Sequence, residues 1–216
     1  MDCSRKTAYF ALKRIWENDA YSQMALDLEI KKYKPENPAF VRELVLGTLT
    51  WQRRLDYYLR QLVKKGYRKL PLSVLILLRT GAYEILMMES IPDYAAVNES
   101  VQLADHFAHR HVSFVNGVLR NLSRKKEILR SPEIESDSVI RLCESYSYEE
   151  ETVRHWIQEY GETRTESVLA SLNKRRPLYI TVNTLKVSPK RFQEEMEHGS
   201  FAAEPSEFSP FSFRVK

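Results

Sequence analysis

Hydrophobic residues recur at helical spacing along most of this chain of 216 residues. The run that follows Pro71 is apolar on nearly all sides, which is typical of a helix at the centre of a bundle. Asn37 is placed to cap an earlier helix, and Pro38 suits its first turn. The pattern continues until Ser131-Pro132. It predicts a compact all-helical bundle that ends there.

The segment 81–121 carries the densest pattern, which predicts three helices with one turn marked by Pro92. Asn116-Gly117 would favour a hairpin between alternating strands, but the apolar residues around it follow a helical period. A glycine inside a helix costs about 1 kcal/mol relative to alanine. We therefore expect Gly117 to mark the close approach of a neighbouring helix.

Beyond Pro132 the pattern predicts further helices and then a change of period. The predicted elements are helices over 138–146, 150–160 and 162–173, a strand over 178–184, a helix from Ser188-Pro189 to Met196, and a strand over 208–215. The last strand stops without a turn or partner, and two strands are rarely stable alone. This pattern predicts that the chain is part of a longer protein.

Several linked motifs resemble one family. They are Arg5-Lys6-Thr7-Ala8, Gly47-Thr48-Leu49, Gly81-Ala82-Tyr83-Glu84-Ile85-Leu86, Ile91-Pro92, Asn98-Glu99-Ser100-Val101, Asn116-Gly117-Val118-Leu119-Arg120 and Arg176-Pro177. In this order they resemble the amino-terminal region of bacterial ribosomal RNA cytosine-C5 methyltransferases of the RsmB (Sun/Fmu) type, which is similar to the antitermination factor NusB.

The resemblance implies a mainly α fold in three parts. These are a NusB-like all-helical RNA-binding bundle at 1–132, a helical linker at 133–173, and at 174–216 the start of a small α+β RNA-binding subdomain. The methyltransferase domain that follows in the family would be missing. S-adenosylmethionine would be the cofactor of the full-length protein, with none in this fragment.

No catalytic or metal-binding motif is evident in the sequence. The six glycines are isolated, so neither a phosphate-binding loop nor a dinucleotide fingerprint is present. Cys3 and Cys143 lack paired spacing, and neither lies in a motif like the family's catalytic cysteines. Asp105 and His109 lie four residues apart near His106 and His111, but further ligands are not evident. We expect no catalytic residue and no metal site.

Charge is divided unevenly along the chain. Residues 1–132 carry 22 Lys and Arg against 14 Asp and Glu, whereas 133–216 carry 11 against 15. The segment 133–166 holds ten acids and only three bases. Basic blocks are candidate contacts for a polyanion, and solvated helix faces are the plainer interpretation.

Four basic groups are candidates for RNA binding. The predicted RNA-binding residues are Arg5, Lys6, Arg53, Arg54, Arg120, Arg124, Lys174, Arg175, Arg176 and Asn183. The resemblance implies RNA contact for Arg5 and Lys6 on the first helix. Arg53 and Arg54 belong to a basic run that only Asp56 opposes, which suits phosphate contact.

The other two groups have structural alternatives. Arg120 and Arg124 lie near a helix end, where basic charge also stabilises the helix. The last group, Lys174, Arg175 and Arg176, precedes a strand that contains Tyr179. This combination of basic side chains and an aromatic ring is typical of single-stranded RNA sites. The alternative is that Tyr179 belongs to the core and that Arg176 caps a helix.

Two functions remain open from the sequence. The first is the RNA-recognition part of a 16S rRNA (cytosine-C5) methyltransferase, acting in the cytoplasm on small-subunit ribosomal RNA together with the missing methyltransferase domain. The second is a stand-alone NusB-like module that binds RNA or protein in transcription antitermination. No apolar run approaches the length of a membrane span, so no membrane partner is expected.

Overall fold

The computed structural model describes residues 3–63, 65–174, 177–197 and 202–215. Contacts divide the chain into two compact units, Met1–Ala170 and Ser171–Lys216. The helices up to that division are α1 (Cys3–Asn18), α2 (Ser22–Tyr33), α3 (Pro38–Thr50), α4 (Gln52–Leu62), α5 (Leu72–Met87), α6 (Asp93–Phe107), α7 (Val112–Lys125), α8 (Ser138–Tyr146), α9 (Glu150–Tyr160) and α10 (Glu162–Leu172). Short 3-10 helices cover Tyr67–Lys69, His109–His111 and Pro132–Ile134. The mainly α fold class is confirmed.

Helix α5 is the centre of the bundle, as its apolar sequence predicts. It begins directly after Pro71 and is buried without a break from Ile76 to Ile85. Helices α1, α3, α4, α6 and α7 all pack against it. Burial of a side chain such as Leu77 stabilises the fold by about 1.5–3 kcal/mol, so this helix carries much of the core.

The predicted helix start at Asn37 is also confirmed. The Phe40 backbone N–H donates to Asn37 Oδ1 at 2.9 Å, and Pro38 occupies the first helical position. Helix α3 ends at Thr50, and Trp51 separates it from α4.

Two glycines, Gly47 and Gly81, lie where neighbouring helices approach closely. The glycine that the sequence pattern favoured for this role, Gly117, does not. A Cβ at Gly81 of α5 would lie 2.6 Å from Leu119 Cδ1 and 2.8 Å from Ser100 Oγ, and a Cβ at Gly47 would collide with the Tyr83 ring. The expectation for Gly117 is wrong, because nothing lies within 4 Å of a Cβ there. Gly117 lies on the exposed side of α7.

A second, smaller core joins α8, α9 and α10. Its buried residues are Leu142, Cys143, Val153 and Leu169. The predicted bounds of α8 and α9 match the structure, and α10 ends one residue earlier than expected. The predicted domain boundaries at 132 and 173 stay predictions. The contacts place 133–170 in the same compact unit as the bundle.

The second unit is a small antiparallel sheet with one helix. Its elements are β1 (Tyr179–Thr181), α11 (Pro189–Glu197), β2 (Ala203–Pro205) and β3 (Ser212–Val215). The strand order is β1-β3-β2. The expectation that the last strand has no partner is wrong, since β3 pairs with both β1 and β2. Helix α11 packs with its Phe192 ring 5.2 Å from the ring of Phe213.

Candidate nucleic-acid interface

Arg5 is held inside the bundle by an acid of α5. Its Nε donates to Glu84 Oε1 at 3.1 Å, its guanidinium lies 5.0 Å from the centre of the Phe40 ring, and 13% of its side chain is exposed. Glu84 is itself buried and requires a partner, because an uncompensated buried charge is strongly destabilising. Charge compensation is therefore a role for Arg5 that sequence reasoning missed, and its RNA contact stays a prediction.

Lys6 lies in a lysine–aromatic cluster formed by Lys6, Phe10, Lys32 and Tyr33. The rings of Phe10 and Tyr33 stack with centroids 5.3 Å apart. Lys6 Nζ is 5.3 Å and Lys32 Nζ 4.9 Å from the centre of the Tyr33 ring. Ammonium groups next to aromatic faces suit contact with a nucleic acid. Lys32 and Tyr33 were missed because they are distant in sequence from the basic start of α1.

Arg53 and Arg54 lie where α4 meets α8 and the segment before it. Arg53 Nε is 3.3 Å from Glu144 Oε1, and a second nitrogen is 3.5 Å from Glu149. Arg54 donates to the Ser145 carbonyl at 2.9 Å and pairs with Glu133 at 2.7 Å. Only 29% of the Arg53 side chain and 21% of the Arg54 side chain is exposed.

Arg60 completes this α4–α8 seam, which consists of Arg53, Arg54 and Arg60 with their acidic partners. Its guanidinium pairs with Glu144 Oε2 at 2.8 Å. The expectation that only Asp56 opposes these bases is wrong, because Asp56 instead binds Arg79 at 2.7 Å. Phosphate contact by Arg53 and Arg54 stays a prediction, but it would have to compete with partners inside the protein.

A groove between α6 and α7 holds the third basic group. This α6–α7 groove has a volume of about 330 Å³. Its lining residues are Tyr94, Val97, Asn98, Val101, Asn116, Arg120, Ser123 and Arg124. Spacings of three and four residues place these side chains on one face of each helix.

Four polar side chains of this groove differ from those of the α4–α8 seam, because they have no partner among the described residues. Within the described ranges, no hydrogen bond or ion pair is formed by the side chains of Arg120, Arg124, Asn98 or Asn116. Both arginines are exposed, and the Tyr94 side chain is 78% exposed. The groove therefore presents positive charge, amides and an aromatic ring to solvent.

One acid beside this groove is already neutralised. Asp93 pairs with Lys126 at 3.1 Å and accepts a hydrogen bond from Ser123 at 2.9 Å. An anion approaching Arg120 and Arg124 would meet little opposing negative charge from Asp93. Of the predicted site residues, these two have the geometry that best suits phosphate.

In the second unit, the structure describes only part of the predicted site. Lys174 is exposed, whereas Arg175 and Arg176 lie outside the described residues. Asn183 Oδ1 accepts the Leu185 backbone N–H at 3.1 Å, which stabilises a turn after β1. RNA contact by Lys174 and Asn183 stays a prediction. Because the Asn183 oxygen already accepts this hydrogen bond, the amide nitrogen is the atom of that side chain suited to contact RNA.

Tyr179 lies on the sheet face away from Phe213. Its side chain is 39% exposed and meets the Phe208 ring edge-to-face at 5.8 Å. The neighbour of Tyr179 on β3 is Arg214. The alternative that Tyr179 belongs to the core does not fit this exposure.

Within the described ranges, the Cys143 thiol is buried and no metal cluster is evident. Burial raises the pKa of the Cys143 thiol to about 11, so its thiolate is scarce at neutral pH. Cys3 is exposed. His109 Nδ1 lies 2.8 Å from Asp105 Oδ1, but no group of three or more His, Cys, Asp or Glu is arranged to hold a metal among these residues. None of the helices described is long and apolar enough to cross a membrane.

Comparison with known families matches both parts of the chain. Residues 3–124 match the NusB family, and residues 152–216 match the Methyltr_RsmF/B-like, ferredoxin-like domain. The chain belongs to the NusB family, whose match covers more than half of its length. The resemblance inferred from the motifs, to NusB and to RsmB-type methyltransferases, is confirmed.

The curated relatives include both kinds of protein. The probable ribosomal RNA small subunit methyltransferase B of Synechocystis is 31% identical over 191 residues, which are 87% of this chain and 42% of the relative. The Bacillus subtilis protein of that name is 36% identical over 76% of this chain and 37% of its own length. The transcription antitermination protein NusB of Lacticaseibacillus casei is 37% identical over 54% of this chain and 89% of its own length.

A solved structure shares the fold across both units. The crystal structure of PH0851 superimposes with a TM-score of 0.66 and 19% identity, over 99% of this chain and 48% of the other. The chain spans about two fifths of the length of the methyltransferase relatives described above.

Proposed function

We propose that this chain is the RNA-recognition part of a small-subunit ribosomal RNA methyltransferase. In this role it binds ribosomal RNA in the cytoplasm and positions a target cytosine for C5 methylation. The observation that carries the proposal is the α6–α7 groove, where Arg120 and Arg124 are exposed and have no ion-pair partner in the part of the chain that the structure describes. Free guanidinium groups on a rigid helix are well suited to phosphate.

The proposed mechanism is positioning rather than chemistry. Holding a substrate in one geometry removes much of the entropic barrier to a later step. Methyl transfer from S-adenosylmethionine would be performed by sequence that the relatives have and that these 216 residues do not cover.

The described glycines do not fit a cradle for that cofactor. Gly47, Gly81 and Gly117 lie inside helices, while Gly66 and Gly161 lie at helix ends. None of these five lies in a loop that leads from a strand into a helix, which is the arrangement of glycine-rich nucleotide sites.

A stand-alone NusB-like module in transcription antitermination is the second candidate. The match of residues 3–124 to the NusB family favours it. The match of 152–216 to the RsmF/B-like ferredoxin-like domain favours the methyltransferase, because the alignment to the Lacticaseibacillus casei NusB already covers 89% of that protein with only 120 residues.

The proposal is tested by titrating small-subunit ribosomal RNA fragments at several salt concentrations. Each phosphate contact to a single strand contributes about 0.7 to the slope of log affinity against log salt. The double variant Arg120→Ala/Arg124→Ala should bind more weakly, with a slope lower by about 1.4. A parallel variant, Arg175→Ala/Arg176→Ala, tests the predicted site of the second unit.

The matched control is Arg68→Ala/Lys69→Ala, which removes the same charge from exposed residues outside the groove. This control should change the slope little, because the proposal attributes the salt dependence of RNA binding to the groove and not to net charge alone. If the salt slope fell equally in Arg120→Ala/Arg124→Ala and in this control, the groove would have no special role. Absence of salt-dependent binding by the wild-type chain would refute the proposed function.

A further inference from the structure

The α6–α7 groove contains more than the charge that phosphate binding requires. Asn98 of α6 and Asn116 of α7 both line it, and Tyr94 lies one helical turn before Asn98. Phosphate contacts position a nucleic acid without reading it, whereas amides and aromatic rings contact bases. The lining therefore has groups for a base as well as groups for a backbone.

The two amides have no partner among the residues that the structure describes. Asn116 is half-buried, yet neither it nor Asn98 forms a hydrogen bond with any described residue. An amide offers two donors and one acceptor oxygen, and Asn98 is exposed and Asn116 half-buried, so a ligand can reach both. These amides are consequently available to a ligand that presents both donors and acceptors.

The size of the groove restricts that ligand. Its volume of about 330 Å³ is at the low end of the range of about 300–1,000 Å³ for small-molecule sites. Val97 and Val101 supply apolar surface between the polar groups. A planar heterocycle with polar edges fits this combination of an apolar wall, two amides and an exposed ring.

The helix geometry also places the charge correctly for such a ligand. Arg120 lies one turn beyond Asn116 along α7, and Arg124 lies one turn further. Gly117 lies on the exposed side of the same helix, where nothing is within 4 Å of a Cβ. A chain of phosphates can therefore run along α7 past the amides without meeting a side chain at that position.

We propose that the α6–α7 groove binds one unpaired nucleotide of RNA. Its base stacks on Tyr94 and forms hydrogen bonds with Asn98 and Asn116, while its flanking phosphates contact Arg120 and Arg124. This inference rests on the proposed RNA-binding function and adds that the groove distinguishes single-stranded from duplex RNA.

A duplex cannot satisfy the same groups. In an A-form helix the bases are stacked on each other, their pairing edges are occupied, and the deep, narrow major groove excludes side chains. An unpaired base in a loop or bulge exposes both its face and its edge. The phosphates are present in either form, so the arginines alone give no preference.

The experiment compares two RNAs with the same number of phosphates, an unstructured oligonucleotide and a fully paired, blunt-ended duplex without a loop, across wild type and variants. Tyr94→Ala should weaken binding of the unstructured RNA by about tenfold, since stacking of a base on an aromatic ring contributes substantially to affinity. Tyr94→Phe keeps the ring and should bind like wild type. Neither substitution should change binding of the duplex or the salt slope.

The amides are tested by base preference, which a purely structural role would not alter. Wild type and Asn116→Asp are titrated with oligonucleotides of adenine, cytosine and uracil. The carboxylate accepts but does not donate, so this nearly isosteric variant should change the order of preference among the three. Circular dichroism melting confirms that each variant is folded, and Asn98→Asp provides a second variant of the same kind.

The outcomes separate the inference from the function. Suppose that wild type binds RNA with a salt-dependent slope. If Tyr94→Ala then weakens duplex and unstructured RNA equally, or if Asn116→Asp and Asn98→Asp leave base preference unchanged, the nucleotide site is overturned and the proposed function stands. If wild type binds neither RNA, both fail. Preferential capture of a protein partner through the groove would also overturn the nucleotide site.

Discussion

Single glycines in the helices of this bundle have opposite roles. Gly81 and Gly117 both lie inside helices and both belong to motifs shared with the family. At Gly81 the neighbouring helices approach so closely that a Cβ would overlap Leu119 and Ser100, whereas Gly117 faces open space. The sequence could not separate these cases, because the spacing of neighbouring helices depends on tertiary packing rather than on local pattern.

This difference predicts opposite effects of alanine at the two positions. Gly117→Ala should raise the free energy of unfolding by about 0.5–1 kcal/mol, because alanine loses less conformational freedom in a helix than glycine. Gly81→Ala should lower it by about 1–3 kcal/mol through overpacking. Urea denaturation of both variants measures the effects, and destabilisation by Gly117→Ala would contradict the exposed placement of that residue.

The seam between α4 and α8 shows how charge works at the scale of elements. The basic run around Arg53 and the acidic segment that begins at Glu133 read as separate blocks in the sequence. In the structure they neutralise each other through the pairs of Glu133 and Glu144 with the arginines of α4. The sequence could not predict these pairs, because it does not reveal which charges meet in the folded chain.

This seam predicts a larger loss of stability for one buried carboxylate than for an exposed one. Glu144 is buried and binds both Arg53 and Arg60, whose side chains are 29% and 39% exposed. Glu144→Gln should lower the free energy of unfolding by about 1–2 kcal/mol, between the values for exposed pairs and for a broken buried pair. Hydrogen exchange should show faster opening of α8.

The control for this substitution is Glu17→Gln in α1. Glu17 pairs with Lys13 at 3.7 Å, and both side chains are more than two fifths exposed. Exposed pairs contribute little, so the loss should stay below about 0.5 kcal/mol. If the two variants lost the same stability, the seam would not hold α8 as described.

Secondary structure was more predictable than pairing at this scale. The capped starts at Asn37 and Ser188 were evident from residue type, and both caps form. Strand β2 was missed because Ala203–Pro205 contains residues that are rare in strands. Strand β2 forms because it pairs with an edge of β3. The three residues of β2 alone contain no pattern that indicates this pairing.

At the scale of the whole molecule, the linked motifs were sufficient to predict the family. They did not predict which residues meet in the α6–α7 groove. Asn98, Asn116 and Arg120 all lie in motifs that identified the family. Only the folded chain brings them together with Tyr94 in one groove. The structure also distinguishes arginines with acidic partners from arginines without them. Arg5, Arg53 and Arg54 have such partners. Arg120 and Arg124 have none in the described ranges.

The most direct test follows each arginine by the NMR signal of its Nε–H group during titration with small-subunit ribosomal RNA. We predict that the signals of Arg120 and Arg124 shift early and saturate together, because their guanidiniums are free to contact phosphate. Those of Arg53, Arg54 and Arg60 should stay in place, held by their carboxylates. Shifts confined to the α4–α8 seam, with Arg120 and Arg124 unchanged, would contradict the account.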